Sequence, residues 1–113
     1  MLYPCKVDKV TSTGAAMNIS LGFTPVYVIV HNETTGKSFE WFGGADGDAA
    51  GDAILHTWST GVITKITSNG IDAYTGSTTV GSEASVGFTM GTDVAGSTSD
   101  VIRYAAFRGL QDA

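Results

Sequence analysis

The sequence has 113 residues, a length at which a chain usually forms one domain, and it predicts a single domain over residues 1–113. Only 15% of the residues are charged and 42% are hydrophobic, which excludes a disordered acidic tail, a coiled coil and a charged helical bundle. The net charge of −5 has the wrong sign for contacts with a phosphate backbone, so we expect no nucleic-acid partner.

Targeting and cofactor signals are weak throughout the sequence. No apolar run reaches the roughly 20 residues that a membrane-spanning helix needs, and the first residues lack the pattern of a secretory signal, so we expect synthesis in the cytoplasm and no membrane partner. The single cysteine, Cys5, has no partner for an internal disulfide and, with His31 and His56, is one ligand short of a four-ligand zinc site. We therefore expect no cofactor and no metal.

The composition favours β-structure, because 40 of the 113 residues are Gly, Thr or Ser. Residues Tyr3–Val10 alternate apolar and polar side chains and predict a first strand, which Pro4 places at a sheet edge. A second strand follows from the alternation of Met17, Ile19 and Leu21. Residues Val26–Val30 are all β-branched or aromatic and predict a central strand covered on both faces.

The second half of the chain continues this pattern. A turn at Asn32–Lys37 joins the central strand to a strand at Ser38–Phe42, and the Gly- and Asp-rich residues 43–52 predict a surface loop. Asn69-Gly70 predicts a tight turn between two further strands. The remaining predicted strands are Ile54–Trp58, Val62–Thr67, Ile71–Tyr74, Val86–Met90 and a closing strand at Val101–Arg108. About eight short strands without a long helix predict an all-β fold, a single antiparallel β-sandwich or a jelly-roll-like barrel.

Several phrases of the sequence resemble a known class of proteins. They are Gly22–Gly36 (GFTPVYVIVHNETTG) with Glu40-Trp41, Ile66–Ile71 (ITSNGI), Gly87–Asp93 (GFTMGTD) and Val101–Arg108 (VIRYAAFR). Across residues 22–108 the chain resembles small virion structural proteins of tailed bacteriophages, and most of all capsid decoration (cement) proteins. The resemblance implies a non-enzymatic protein on the capsid surface of the virion that binds the major capsid protein and stabilises the shell.

A decoration protein needs no catalytic group and gains strength from repeated weak contacts and from its own association, so we expect a homo-oligomer, either a dimer or a trimer. Tyr3–Val10 or Val101–Arg108 could act as unpaired edge strands that extend a sheet between protomers or onto a capsid subunit. The alternative is a tail or fibre module that binds a host receptor or glycan.

Two groups of residues are open to more than one interpretation. Asp46, Asp48 and Asp52 resemble the spaced carboxylates of a calcium loop, but no closing Glu completes the frame, and a solvated turn is the simpler interpretation. Exposed aromatic side chains could stack on a sugar ring, although packing in a core or at an interface is more common. The aromatic candidates are Trp41, Phe42, Trp58, Tyr74 and Tyr104.

Catalytic patterns are missing from the sequence. His31 and His56 have no neighbours of the kind found in a triad or a metal motif, and no G-x-S-x-G occurs, so we expect no enzyme. On the strand Ser38–Phe42, alternation places Phe39 and Trp41 on one face and Glu40 and Phe42 on the other. The residues predicted to contact a partner are Phe39, Trp41 and Phe42, the loop carboxylates Asp46, Asp48 and Asp52, and the cations Arg103 and Arg108.

Overall fold

A computed structural model of the protein describes residues 5–43, 47–74 and 86–109. These residues contain eight strands and one helical turn. The elements are β1 (Cys5–Thr11), β2 (Met17–Ser20), β3 (Pro25–Asn32), β4 (Lys37–Phe42), β5 (Asp52–Thr57), β6 (Val62–Tyr74), β7 (Gly87–Met90), α1 (Thr92–Ala95) and β8 (Val101–Arg108). The predicted all-β fold of about eight antiparallel strands is confirmed.

The strands form one curled sheet in the order β1-β8-β3-β4-β5-β6-β7-β2, and every neighbouring pair is antiparallel. Two short hairpins, β3–β4 and β5–β6, form its middle, and in each the turn ends in a glycine with positive φ, Gly36 and Gly61. Glycine adopts this backbone conformation without a steric penalty. The curl makes the sheet a half-barrel, with β1 at one edge and β2 at the other.

The inner, concave face of the sheet holds the hydrophobic core. Alternate residues of β3, β4 and β8 point into it, and Phe88 of β7 packs edge-on against Tyr104 of β8, with ring centroids 5.4 Å apart. The contact joins strands near opposite ends of the sheet order, so the curl closes around one core. The helical turn α1 contributes Val94 and Ala95, both fully buried.

A buried polar pair fastens the loop before β8 to the end of β3. The Asn32 side-chain amide donates a hydrogen bond to the Asp100 carboxylate at 3.1 Å, and the same carboxylate oxygen accepts from the backbone N–H of Ser97 at 3.0 Å. The other side-chain atom of Asn32, its carbonyl oxygen, accepts from the backbone N–H groups of Thr34 and Thr35. Both side chains are therefore satisfied although they are almost fully buried.

Three features of the arrangement correct the sequence predictions. The strand β8 lies between β1 and β3 and is not an edge, whereas β1 is an edge as predicted, with Tyr3 and Pro4 outside the described residues. The central strand β3 is buried on its inner face only, since Tyr27 and Ile29 are half-buried on the other. Asn69-Gly70 does not separate two strands. It lies inside β6, which runs from Val62 to Tyr74.

The physical reason for the last correction is a change of partner within β6. Its first half pairs with β5 and its second half with β7, and the register shifts between Asp52 and Ala53. Asn69 takes a positive φ of 59° at this bend. Gly70 donates a backbone hydrogen bond to Gly51 and accepts one from Gly91, so three chain segments meet without side chains between them. The turn signal thus marks a bulge that bends one long strand.

Candidate binding surface

The outer, convex face of the sheet carries the side chains that alternate with the core positions. Because all pairs are antiparallel, directly opposed residues share a face, and the register arranges the outward side chains in rows across the strands. In order from β1, the rows are Lys9, Arg103, His31, Ser38, His56 and Ile63, then Val7, Ala105, Ile29, Glu40, Ile54 and Lys65, then Cys5, Phe107, Tyr27 and Phe42.

One end of this face is apolar. We define the apolar band as Val7, Ala105, Ile29, Phe107, Tyr27 and Phe42. Val7 is 71% exposed, and Phe42 and Phe107 are 46% and 39% exposed. The Tyr27 ring lies 5.0 Å from the Phe42 ring and 5.7 Å from the Phe107 ring, so three aromatic side chains form one cross-strand cluster. Contiguous exposed apolar surface of this kind is typical of a binding site.

A hydrogen-bonded chain borders the apolar band. The Tyr27 hydroxyl donates to one oxygen of the Glu40 carboxylate at 2.7 Å, and the other oxygen lies 2.7 Å from Nε2 of His56. The hydrogen bond from Tyr27 is the main factor that lowers the pKa of Glu40; burial opposes it, and His56 adds to the lowering. Burial, followed by the hydrogen bond and the charge of Glu40, raises the pKa of Tyr27 to about 12. The carboxylate is thus held ionised between two fixed neighbours.

The hydrogen bond between Tyr27 and Glu40 predicts a loss of stability at high pH. Because the pKa of Tyr27 is raised in the folded protein, its contribution to the free energy of unfolding is complete below pH 10, the ordinary tyrosine value, and is lost as the pH rises through about 12. Glu40→Gln removes the negative charge and should move this titration to lower pH. An absorbance titration of the tyrosinates measures the shift, and Tyr27→Phe identifies the step. A titration that is the same in Glu40→Gln would contradict the assignment.

Trp58 lies beside the outer face, in the turn between β5 and β6. Its indole N–H donates to the Ser38 hydroxyl at 2.6 Å, and its ring meets the His31 ring edge-on at 5.7 Å. The indole is held in place and is still 48% exposed. A shallow cavity of about 340 Å³ lies next to it, lined by Ile29, His31, Ser38, Glu40, His56 and Trp58. An aromatic ring, a carboxylate and two imidazoles thus border one open depression.

The loop carboxylates Asp48 and Asp52 accept hydrogen bonds from nearby backbone groups. Asp48 accepts a hydrogen bond from the backbone N–H of Phe42 at 2.9 Å, and Asp52 accepts one from the N–H of Ala49 at 3.2 Å. Lys65 lies 3.1 Å from Asp48 and 3.5 Å from Asp52, and these carboxylates raise its pKa. Asp46 lies outside the described residues. Within the described ranges, no three His, Cys, Asp or Glu side chains are grouped so that they could hold a metal ion.

The structure separates the aromatic residues that were predicted to make contacts. Phe39 and Trp41, which were predicted to contact a partner, are 1% and 4% exposed and pack in the core, so neither side chain is available on the surface of the described fold. The reason is that their face of β4 is the concave one, which the curled sheet covers. Phe42 lies on the opposite face, beside Glu40, and is exposed as the alternation predicts. Of the three, only Phe42 belongs to the candidate surface.

The two predicted cations lie in different places. Arg103 is on the outer face in the row that includes His31, and its guanidinium pairs with the Glu33 carboxylate. Arg108 lies near the end of β8, with its guanidinium 5.9 Å from the centre of the Phe23 ring. The two arginines therefore do not form one charged edge. The outer-face residues that were missed, Val7, Tyr27 and Phe107, had a visible signal in the alternation of their strands, but the buried face could not be chosen without the fold.

Comparisons with protein-family models, with curated proteins and with solved structures gave no match. Among the described residues, no helix is long and apolar enough to cross a membrane.

Proposed function

We propose that the chain is a non-enzymatic structural protein of a phage virion, a capsid decoration protein that binds the major capsid protein as a homo-oligomer. The observation that carries the proposal is the apolar band on the outer face, where Val7, Phe42 and Phe107 are exposed. A rigid sheet that presents side chains in fixed rows suits a lattice of identical subunits, since each copy makes the same modest contact and the shell repeats it. The resemblance of residues 22–108 to virion proteins is the reason for proposing the major capsid protein as the partner.

The band has the composition that protein interfaces favour. Aromatic residues are enriched in interface cores, and residues of this type carry much of the binding energy when a partner covers them. The charged side chains Arg103 and Lys65 lie toward the margins of the same face, where ion pairs contribute more to orientation than to affinity. An apolar patch at one end of the outer face, bordered by polar and charged side chains, is therefore available on one continuous surface.

The test is binding of the purified chain to empty shells of the phage whose particles contain it. Phe42→Ser should raise the concentration needed for half-saturation roughly ten-fold, because it removes an exposed aromatic contact. Val62→Ser is the matched control, since Val62 is 55% exposed but lies at the β5–β6 turn, outside the band. Equal binding by the two variants, or no binding by the wild-type chain, would refute the proposal. Density for the protein over the capsid lattice in electron cryo-microscopy would support it.

A second candidate function, receptor or glycan binding by a tail or fibre module, is favoured by Trp58. A fixed, half-exposed indole beside the Glu40 carboxylate offers a stacking surface and a hydrogen-bond acceptor for a sugar hydroxyl. This function predicts that host surface glycans quench the fluorescence of the wild-type protein and that Trp58→Ala abolishes binding. Density confined to the tail would favour it over decoration.

A further inference from the structure

The strand β1 is an edge of the sheet, and along it the backbone N–H of Lys9 donates a hydrogen bond to the Asp8 carboxylate. Among the described residues, its only strand partner is β8, so the backbone groups on its other side pair with no strand. It spans seven residues, whereas β2, at the opposite edge of the sheet, spans four. Unpaired N–H and C=O groups on a long edge are a template for another strand. The edge of β1 is therefore the stronger candidate for pairing between chains.

Two copies of β1 could pair antiparallel about a two-fold axis, and the geometry of a sheet restricts the register. Directly opposed residues in an antiparallel pair point to the same face, and side chains alternate between faces. The axis must therefore pass through a residue and not between two residues. Each possible register is named by the residue that meets its own copy.

The charges of β1 distinguish these registers. An axis at Lys6, Asp8 or Lys9 would place two like charges directly opposite each other, which is destabilising. An axis at Val7 instead places Lys6 opposite Asp8 of the second copy, and by symmetry the same pair forms again on the other side of the axis. Lys6 and Asp8 point to the same face of β1, as a cross-strand ion pair requires. Within the described part of the chain, neither forms a salt bridge of its own.

The exposed apolar residue of the strand fits the same register. Val7 is 71% exposed, the highest value among the exposed large hydrophobic residues of the described chain, and it would meet its own copy at the axis. Lysines on an edge strand discourage pairing with arbitrary strands. Lys6 lies opposite a carboxylate of the second copy only in the Val7 register. The same lysine that disfavours pairing with other strands therefore favours this register.

We propose that β1 pairs antiparallel with β1 of a second copy about a two-fold axis at Val7, with Lys6 opposite Asp8 of the second copy. The inference identifies the contact between the copies of the proposed homo-oligomer, and to that extent it rests on the proposed function. The pairing joins the two sheets into one and places the apolar bands side by side, because the row Val7, Ala105 and Ile29 runs from the axis into each copy. The dimer thus presents one widened binding surface.

Cysteine cross-linking tests the axis directly. Opposed residues of an antiparallel pair have Cα atoms roughly 4.5–5.5 Å apart, within the range of about 4.4–6.8 Å that disulfides span. In a Cys5→Ser background, we expect Val7→Cys to form a covalent dimer on mild oxidation. Val62→Cys in the same background is the control, since Val62 is also more than half exposed but lies on β6 and not on β1, and it should remain uncross-linked. Failure of Val7→Cys to cross-link, or equal cross-linking of both variants, would overturn the proposal.

Charge exchange tests the register. Lys6→Asp and Asp8→Lys each replace both ion pairs with like-charge pairs and should weaken the dimer about ten-fold in sedimentation equilibrium. The double variant Lys6→Asp/Asp8→Lys restores opposite charges and should recover most of the wild-type affinity. A double variant that stays as weak as the single variants, or a wild-type chain that is monomeric at all concentrations, would contradict the inference.

The two readouts separate this inference from the proposed function. A chain that cross-links through Val7→Cys and does not bind shells leaves the β1 pairing intact and refutes decoration. A chain that binds shells through Phe42 but forms no cross-link leaves decoration intact and refutes the pairing. A dimer or trimer that forms through β2 or through the outer face would give no Val7 disulfide and no rescue by charge exchange, and it too refutes the pairing.

Discussion

Replacing Trp41 with Ala should lower the free energy of unfolding by about 3–5 kcal/mol, the usual cost of removing a large aromatic side chain from a core. Trp41 is 4% exposed, and its indole N–H points to the backbone carbonyl of Ala49 at 3.4 Å. The ring also lies against Gly43, where an added Cβ would come within 2.7–2.8 Å of two of its atoms. The substitution would leave a cavity in the core and remove the contacts of the indole with Gly43 and Ala49.

The adjacent residue supplies the control. Phe42→Ala removes an aromatic side chain of similar type from the outer face, where it is 46% exposed, and should cost about 1 kcal/mol or less. Denaturant unfolding measures both values, and Trp58 remains as a fluorescent probe in the Trp41 variant. If Trp41→Ala left stability unchanged and weakened assembly instead, Trp41 would be a contact residue and its place in the core would be wrong.

Asp100→Ala should cost about 2–4 kcal/mol, because it leaves two buried donors without an acceptor. These donors are the side-chain amide of Asn32 and the backbone N–H of Ser97, which both bond to the same carboxylate oxygen. Gly96 lies directly over the pair, and a Cβ at this position would clash with the Asp100 carboxylate and the Asn32 amide. The loop that joins α1 to β8 should therefore loosen together with the end of β3.

Asp93→Ala is the matched control for this prediction. Asp93 lies in the same stretch of chain, in α1, and is exposed, so the same substitution should change the free energy of unfolding by less than about 0.5 kcal/mol. Hydrogen exchange of the Ser97 and Thr34 amides would show where the structure opens. Similar stability losses in the two variants would mean that net charge, and not the buried pair, determines the result.

The two proposals depend on different parts of the same sheet. Decoration depends on the outer face, where Tyr27, Phe42 and Phe107 form one cluster, and pairing between copies depends on the edge of β1. The two surfaces meet at Val7, which belongs to the apolar band and to the edge strand. A substitution at Val7 should therefore affect both dimer formation and shell binding, whereas Phe42→Ser should affect shell binding alone.

Local patterns in the sequence determined the strands and their faces. β-branched and aromatic residues at a spacing of two predicted nearly every strand, and the alternation in β4 correctly separated Phe39 and Trp41 from Glu40 and Phe42. These features follow from the pleat of a single strand, which needs only neighbouring residues. The edge position of β1 was also predicted, because a proline near its start cannot donate a ladder hydrogen bond.

Only the tertiary structure decided which strands are neighbours and which face each one buries. The closing strand β8 has the same alternation as an edge strand, yet it lies between β1 and β3, because pairing depends on residues far apart in the chain. The hydrogen bonds that link Tyr27, Glu40 and His56 also depend on strand pairing, because the three residues come from three strands. The sequence by itself determined an all-β chain with an acidic, weakly charged surface. The curl of the sheet decided that Trp41 is core and Phe42 is surface, because burial is a property of the assembled sheet and not of the strand.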